Sequence, residues 1–407
     1  MRRTVVQILF LISILAQASW AIGWPAVIQQ AEQANNDLLG ARKQLDAYQW
    51  SYYKSYSNFL PQISGSLSGG NSAGSSGNST SFSYGLSASQ TLFKGLGNYY
   101  NWRTAAVNLD YYRVNLQSTR AAVYSQLRLA YVDLFIAQKN LLARQKISQY
   151  RTDNVRMIKL LYDSGKEDKG NYLRTQAQLA DAKHNVASAR RQVELARLKL
   201  SQLIGITVEA VEGELMAKSA GLVDFAQLSA GAPASQLAKA QLELLQIAQQ
   251  ATWQEFLPTI SLSASYQRSG SDWPPTTSSK SLSLAASIPI FPGGSNLADR
   301  AIAGFQLEKG WQDYAKSQKS IYYTVKSTHE NLVDALEALN IQNEYFTSSA
   351  ERAKITQAKY LNGLTTYDEW DRAQTEYVND QIGVINANRT ALIAEANWHN
   401  SYGGYVQ

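Results

Sequence analysis

An internal repeat constrains the fold of this chain more than any other feature of its sequence. Matching segments lie 197 or 198 residues apart: 59–64 (FLPQIS) with 256–261 (FLPTIS), 93–95 (FKG) with 291–293 (FPG), 162–165 (YDSG) with 360–363 (YLNG), and Arg174 and Gln176 with Arg372 and Gln374. A register that holds over this distance predicts two copies of one structural unit. We place the first copy at 22–204, an equatorial linker at 205–234 and the second copy at 235–407.

The first 21 residues have the pattern of a secretory signal peptide. Two arginines precede an apolar run over 5–16, and Ser19-Trp20-Ala21 places small residues before a cleavage point. The run is too short to cross a bilayer, and no later stretch reaches 18 apolar residues. We therefore predict a signal peptide over 1–21, with a buried N-terminal helix as the alternative. Any membrane contact would then depend on strands or on an amphipathic surface.

Each copy contains a pair of segments with the alternation of membrane strands, at 60–93 and 257–291. Ile260 and Leu262, for example, alternate with serine. Each run has about the length that a tilted strand needs to cross the hydrocarbon core. Four strands cannot close a barrel, since such barrels have at least eight and open edges are not tolerated in lipid. The pattern therefore predicts that several copies of the chain assemble.

Long helices follow each strand pair. The stretches 98–161 and 296–359 contain no proline, and a helix of that length extends roughly 95 Å. A further helix follows each of Gly165 and Gly363, with an apolar stripe whose steps alternate three and four residues. This 3.5-residue period predicts coiled-coil packing. Membrane strands continued by long helices around one axis indicate a conduit.

Composition disfavours other functions. The chain has no cysteine and three histidines, so we expect no metal site and no cofactor. His329-Glu330 begins a zinc-protease pattern, but Val333 stands where the second histidine is needed. The net charge of +6 is mild and not clustered, which disfavours nucleic acid as a partner. A soluble periplasmic coiled-coil scaffold remains an alternative, and a periplasmic hydrolase lacks a credible nucleophile–base set.

The order and spacing of these motifs resemble the TolC-like outer membrane efflux protein family over nearly all of 25–402. The resemblance rests on the repeat, the F-L-P-x-I-S entry into each strand pair, and the Y-x-x-G turn followed by R-x-Q. It implies a mainly α protein with a transmembrane β part. Three protomers would each contribute four strands to a twelve-stranded β-barrel, which is continuous with a periplasmic α-helical coiled-coil barrel.

The resemblance also implies a passive function in the outer membrane. Such channels carry drugs, metals or proteins from an inner-membrane pump, of the RND or ABC type, through a periplasmic adaptor. Type I protein secretion is the alternative to small-molecule efflux. The turns at Gly165 and Gly363 would be periplasmic tips and adaptor contacts. Four aromatic residues would lie at the periplasmic strand ends, as an interface girdle or as ordinary helix–strand packing: Phe59, Phe93, Phe256 and Phe291.

The acids after Gly363 are a candidate periplasmic gate. Asp368, Glu369 and Asp371 would bring about nine carboxylates of a trimer to one mouth, and carboxylate rings select cations. Aligned with the family, Glu369 falls on one acidic position and Arg372 on the other. We therefore expect Arg372 to pair with an acid. The alternative is a solvated helix N-terminus, where acids are favourable.

Overall fold

The structure is a computed structural model that describes residues 21–74, 77–219, 221 and 223–406. The predicted signal peptide lies outside the described residues except for Ala21. The described elements, in chain order, are α1 (Trp24–Ala34), α2 (Asn36–Ser55), β1 (Gln62–Gly74), β2 (Gly77–Lys94), α3 (Gly97–Asp163), α4 (Lys169–Ile204), α5 (Phe225–Gly231), α6 (Pro233–Ala251), β3 (Thr259–Gly270), β4 (Thr277–Ser287), α7 (Ser295–Leu361) and α8 (Tyr367–Ser401).

The element order recurs along the chain, as the sequence repeat predicts. A helix, two strands and two long helices occur once from α2 to α4 and again from α6 to α8. The proline-free stretches form α3 and α7, each 67 residues long, because no residue interrupts the backbone hydrogen bonds. Within the described residues, no helix is long and apolar enough to cross a membrane. The repeat boundaries at 204 and 235 stay a prediction.

Contacts divide the chain into two compact units. The first comprises the described residues within 1–40, 118–232 and 321–407, and the second comprises those within 41–117 and 233–320. The core of the first unit contains fully buried aliphatic side chains, among them Leu127 and Leu200.

The segment after α4 belongs to that core. Val208 and Val211 are buried in it, and the Tyr131 hydroxyl donates to the carbonyl oxygen of Glu212 at 2.6 Å. On α4 itself, Thr175, Ala182 and Ala189 are buried at seven-residue intervals. This interval is the seam that the 3.5-residue period predicts.

The second unit contains an antiparallel sheet with the strand order β1-β2-β3-β4, so β1 and β4 are its edges. The first hairpin extends through a stretch whose composition is typical of loops. The Ser-, Gly- and Asn-rich stretch 71–80 has the composition of a flexible loop, yet β1 and β2 stay paired as far as Gly74 and Gly77. Serine pairing contributes to this extension, since the Ser72 and Ser79 hydroxyls lie 2.8 Å apart across the strands.

The end of β2 contains two irregularities. The pairing of β2 with β3 shifts between Thr91 and Phe93, so that Phe93 lies opposite Ile260. Gly95 follows with a φ of 52°, and a Cβ there would lie 2.6 Å from the carbonyl oxygen of Gln254. Only glycine fits this close approach without moving the backbone, which explains the glycine between strand and helix.

Candidate functional site

Two helix ends with the same geometry carry the predicted tip residues. Gly165 follows α3 with a φ of 72°, and Gly363 follows α7 with a φ of 71°. In both, the next N–H donates to the carbonyl five residues earlier, at 2.8 and 2.9 Å. This Schellman arrangement needs a left-handed residue, which glycine adopts without strain. Both glycines are exposed, with open space around them.

The helices after these turns begin in the same way. The Asp168 carboxylate accepts the Asn171 N–H at 2.9 Å to cap α4, and the Thr366 hydroxyl accepts the Glu369 N–H at 3.3 Å to cap α8. A side-chain cap satisfies one of the unpaired N–H groups of a helix start. The exposed Glu369 carboxylate also accepts the Thr365 hydroxyl at 2.5 Å. The side chain of the predicted mouth residue Glu369 is therefore held next to Thr365, just before α8.

Asp371 is buried, unlike the other two predicted acids. Its side chain is 3% exposed, forms an ion pair with Arg174 Nη2 at 2.9 Å and accepts a hydrogen bond from Gln178 Nε2 at 2.8 Å. Arg151 Nη1 lies 3.8 Å from the same carboxylate and donates to Gln178 Oε1 at 3.0 Å. We call Arg151, Arg174, Gln178 and Asp371 the tip cluster. It joins α3, α4 and α8.

Asp368 and Arg372 lie at the surface. The Asp368 carboxylate is 65% exposed and lies 3.3 Å from Arg174 Nη1. Such a pair contributes at most about 1 kcal/mol because water screens it. The exposed Arg372 donates from Nε to the backbone carbonyl of Asp368 at 3.3 Å. Arg174 of the first repeat thus contacts two of the acids after Gly363, Asp368 and Asp371.

A buried aromatic cluster supports the two turns. Trp370 is fully buried, and its ring stacks on Tyr360 with centroids 5.2 Å apart. Burial, and then the hydrogen bond that its hydroxyl donates to Glu167, raise the pKa of Tyr360. The hydroxyl groups of Tyr367 and Thr175 lie 2.8 Å apart, so that they share a hydrogen bond. These contacts connect the Gly165 turn with α7 and α8.

Further along the helices, Tyr150 connects α3 with α7 and α8. Its hydroxyl donates to Gln374 Oε1 and lies 3.3 Å from Gln357 Oε1. Gln374 is fully buried, and its Nε2 donates to the carbonyl of Ala353 at 3.0 Å. Burial raises the pKa of Tyr150 to about 12. A buried amide with both ends bonded fixes the register of α8 against α7.

Some of these residues had a signal in the sequence and some had none. Arg174 and Gln374 belong to the R-x-Q pattern that both repeats share. Arg151 and Gln178 belong to no recognised pattern, and only the packing of three helices brings them to Asp371.

The sheet has one face of hydroxyl groups. Paired serine hydroxyls lie 2.7 or 2.8 Å apart across the strands: Ser64–Ser87, Ser68–Ser83, Ser72–Ser79, Ser263–Ser283 and Ser265–Ser281. By register the same face also carries Gln62, Ser66, Gly70, Ser81, Gly85, Ser89, Ser261, Gln267, Ser269, Thr277, Ser279 and Ala285. We call this the serine face. Among the described strand residues on this face, only Lys94, near the end of β2, is charged.

The opposite face is apolar over most of its length. It carries Ile63, Leu67, Phe82, Tyr84, Leu86, Ala88, Leu262, Ala264, Tyr266, Leu282, Leu284 and Ala286. Several of these side chains are strongly exposed in the single chain, including Ile63 at 74% and Leu282 at 75%. Exposed apolar area of this extent marks a surface that water does not cover in the working protein.

The four predicted interface aromatics lie at one end of the sheet. Phe59 and Phe256 precede β1 and β3, Phe93 is near the end of β2, and Phe291 follows β4 with 82% exposure. Because the strands are antiparallel, these positions share an end. A role at the membrane interface stays a prediction.

The sequence matches the family model described as outer membrane efflux protein over residues 27–206 and 226–404. The chain belongs to the outer membrane efflux protein family. It is therefore a passive channel of the outer membrane that extends into the periplasm, and not an enzyme. No curated protein gives a significant sequence match.

Solved structures have the same fold as this efflux protein. CusC matches with a TM-score of 0.85 and 18% identity, over 95% of this chain and 96% of that one. The CmeC outer membrane channel of Campylobacter jejuni gives 0.83 and 14%, over 94% and 86%. The open state of the MtrE outer membrane channel of Neisseria gonorrhoeae gives 0.83 and 18%, over 94% and 89%. The predicted fold class is confirmed.

We expect Asp371→Asn to loosen the tip of the efflux protein. The change leaves Arg151 buried without its counter-charge, which costs roughly 3 kcal/mol. Hydrogen–deuterium exchange of the purified protein should become faster in the turns around Gly165 and Gly363. The matched control is Asp368→Asn, whose exposed pair is worth less than about 1 kcal/mol. Equal exchange in the two variants would contradict the assignment of a buried ion pair.

The efflux protein should lose stability at high pH partly through Tyr150. The folded-state pKa of about 12 lies above the ordinary value of 10, so the hydroxyl stabilises the fold fully below pH 10 and loses this contribution as the pH rises through 12. Two pKa units correspond to on the order of 2–3 kcal/mol. Unfolding free energies measured from pH 8 to 12 should fall less steeply in Tyr150→Phe. The exposed Tyr323→Phe serves as control, and parallel curves for Tyr150→Phe and the unsubstituted protein would refute the idea.

Proposed function

We propose that three copies of the chain close a twelve-stranded barrel in the outer membrane. The supporting observation is the sheet of four strands whose edges, β1 and β4, have no partner among the described residues of the chain. In lipid, every backbone N–H and C=O must be paired within protein, so both edges need strands from neighbouring copies. Two copies would supply eight strands and three supply twelve, and the family resemblance favours three.

In this barrel the serine face lines the lumen and the apolar face contacts lipid. Strands of membrane barrels alternate between an apolar outer face and a polar inner face, as these strands do. Paired serines such as Ser64 and Ser87 satisfy part of each other's hydrogen bonding and leave the remainder to water. The lining is therefore hydrophilic, and along the strands its one charged side chain is Lys94, near the end of β2.

The barrel is the last part of a tripartite export route. An inner-membrane pump and a periplasmic adaptor deliver the cargo, and the exposed turns at Gly165 and Gly363 form the docking contacts. The serine face offers few charges for selection, so the pump decides which small molecules, such as drugs or metal ions, pass. The protein itself supplies a passive duct and needs no bound cofactor.

The tip cluster holds the periplasmic entrance closed. Asp371 fixes α8 to α3 and α4 through Arg151 and Arg174, so dilation of the mouth requires these pairs to separate. Asp368 and Glu369 remain exposed at the turn and contribute about six carboxylates to the mouth of a trimer, where they favour cations. Arg372, also exposed, lowers the net negative charge of the mouth.

Single cysteines test which face lines the lumen, because the chain has no cysteine of its own. We expect a charged, water-soluble thiol reagent to reduce the conductance of Ser87→Cys channels in planar bilayers. Leu86→Cys, the neighbouring position on the apolar face, should not respond. If the reagent blocked Leu86→Cys channels and not Ser87→Cys channels, the apolar face would line the lumen, contrary to the proposal. A polypeptide that stays monomeric and does not conduct would refute the channel proposal.

Conductance also tests the gate. Asp371→Asn should raise the open probability of single channels, because the tip cluster loses the charge that holds it together. The double variant Asp368→Asn with Glu369→Gln should instead lower cation selectivity and leave the open probability unchanged. Unaltered recordings from all of these variants would refute both the closed tip and the acidic mouth.

A further inference from the structure

Two basic side chains lie on the apolar face of the sheet near the β3–β4 hairpin. Arg268 lies opposite Tyr84 on β2, and Lys280 lies opposite Tyr266. Directly opposed residues share a face, so both cations are on the side that the barrel presents to lipid. The only other charged strand residue is Lys94, on the serine face at the far end of the sheet.

Aromatic side chains surround this basic pair. Lys280 Nζ lies 5.8 Å from the ring centroid of Tyr266. Trp273 of the hairpin link lies 6.1 Å from Phe82 and 5.9 Å from Tyr84, measured between ring centroids. Tyrosine and tryptophan are enriched where a membrane protein meets the headgroups. The pair therefore lies in an aromatic rim, at the opposite end of the sheet from the four interface phenylalanines.

The height of the sheet places Arg268 near the headgroups and Lys280 slightly deeper. Arg268 is eight residues beyond Ile260, which is about 27 Å along the strand and about 21 Å across the membrane at the usual tilt. Lys280 lies opposite Tyr266, six residues beyond Ile260, which is about 20 Å along the strand and about 16 Å across the membrane. The apolar band of such barrels is about 25 Å tall. Long basic side chains near its edge extend into the headgroup layer, where they cost little, whereas at the midplane they would cost about 2–4 kcal/mol.

We propose that Arg268 and Lys280 bind the phosphate groups of lipid A, the phosphorylated glycolipid of the outer leaflet. The inference rests on the proposed barrel, with the hairpins directed out of the cell. The strands themselves carry no carboxylate, and the one acid between Thr259 and Ser287 is Asp272 of the link, which accepts the Ser271 hydroxyl at 3.1 Å. The planar guanidinium suits bidentate phosphate binding, and the neighbouring apolar side chains suit acyl chains.

Native mass spectrometry of the detergent-solubilised channel measures this binding directly. The probes are lipid A, dephosphorylated lipid A, phosphatidylglycerol and inorganic phosphate. We expect the unsubstituted channel to prefer lipid A over the other three. Arg268→Gln with Lys280→Gln should lose roughly 30-fold in affinity for lipid A, as expected for two basic contacts at a membrane surface. Lys94→Gln is the matched control and should bind as the unsubstituted channel does.

The outcomes separate this proposal from the channel proposal. Arg268→Lys with Lys280→Arg keeps both charges and should keep the binding, which shows that the double glutamine variant fails through charge rather than folding. Undiminished binding by the glutamine variant, equal binding of dephosphorylated lipid A, or a preference for phosphatidylglycerol or free phosphate would each overturn the lipid A site. Normal conductance without lipid A binding would refute the site alone. Lipid A binding without conductance would refute the channel alone.

Discussion

The need to pair every backbone hydrogen-bonding group in lipid is the constraint on which the rest of this structure depends. A strand edge exposed to hydrocarbon has no water to satisfy its N–H and C=O groups. Within the part of the chain that the structure describes, two such edges remain, on β1 and β4. The sheet is therefore one part of a barrel, and the proposed trimer supplies the remaining strands. Its exposed apolar side chains, such as Ile63 and Leu282, have the same explanation, because lipid covers them in the completed barrel.

The serine face meets a second requirement of a wide duct. Serine is small, so it occupies little of the lumen, and its hydroxyl can act as donor and acceptor at once. Pairs such as Ser68 and Ser83 bond across the strands and make a polar surface without charges. Charge is concentrated instead at the helix turns, where Asp368 and Glu369 are exposed and Asp371 is buried between arginines. The proposed export route therefore separates transport through the barrel from control at its entrance.

Local sequence patterns predicted the elements well because their causes are local. The absence of proline gave the long helices α3 and α7, and glycine gave the turns at 165 and 363. The stretch 71–80 was the exception. Its glycines, serines and asparagines are typical of loops, but hydroxyl pairing such as Ser72 with Ser79 keeps the two strands together almost to the tip. Composition identifies residues that favour turns, but it does not show that the same residues can pair with a neighbouring strand.

The sequence by itself determined the duplication, the element order, the family and the alternation that separates a serine face from an apolar face, because each follows from spacing along one segment. Tertiary structure alone decided which of the three acids after Gly363 are buried and which are exposed. Their sequence context is nearly the same, yet Asp371 is enclosed by Arg151 and Arg174 while Asp368 faces water. Burial depends on which side chains of other helices arrive at a point, and these come from residues almost 200 positions away or more, so no local pattern encodes it.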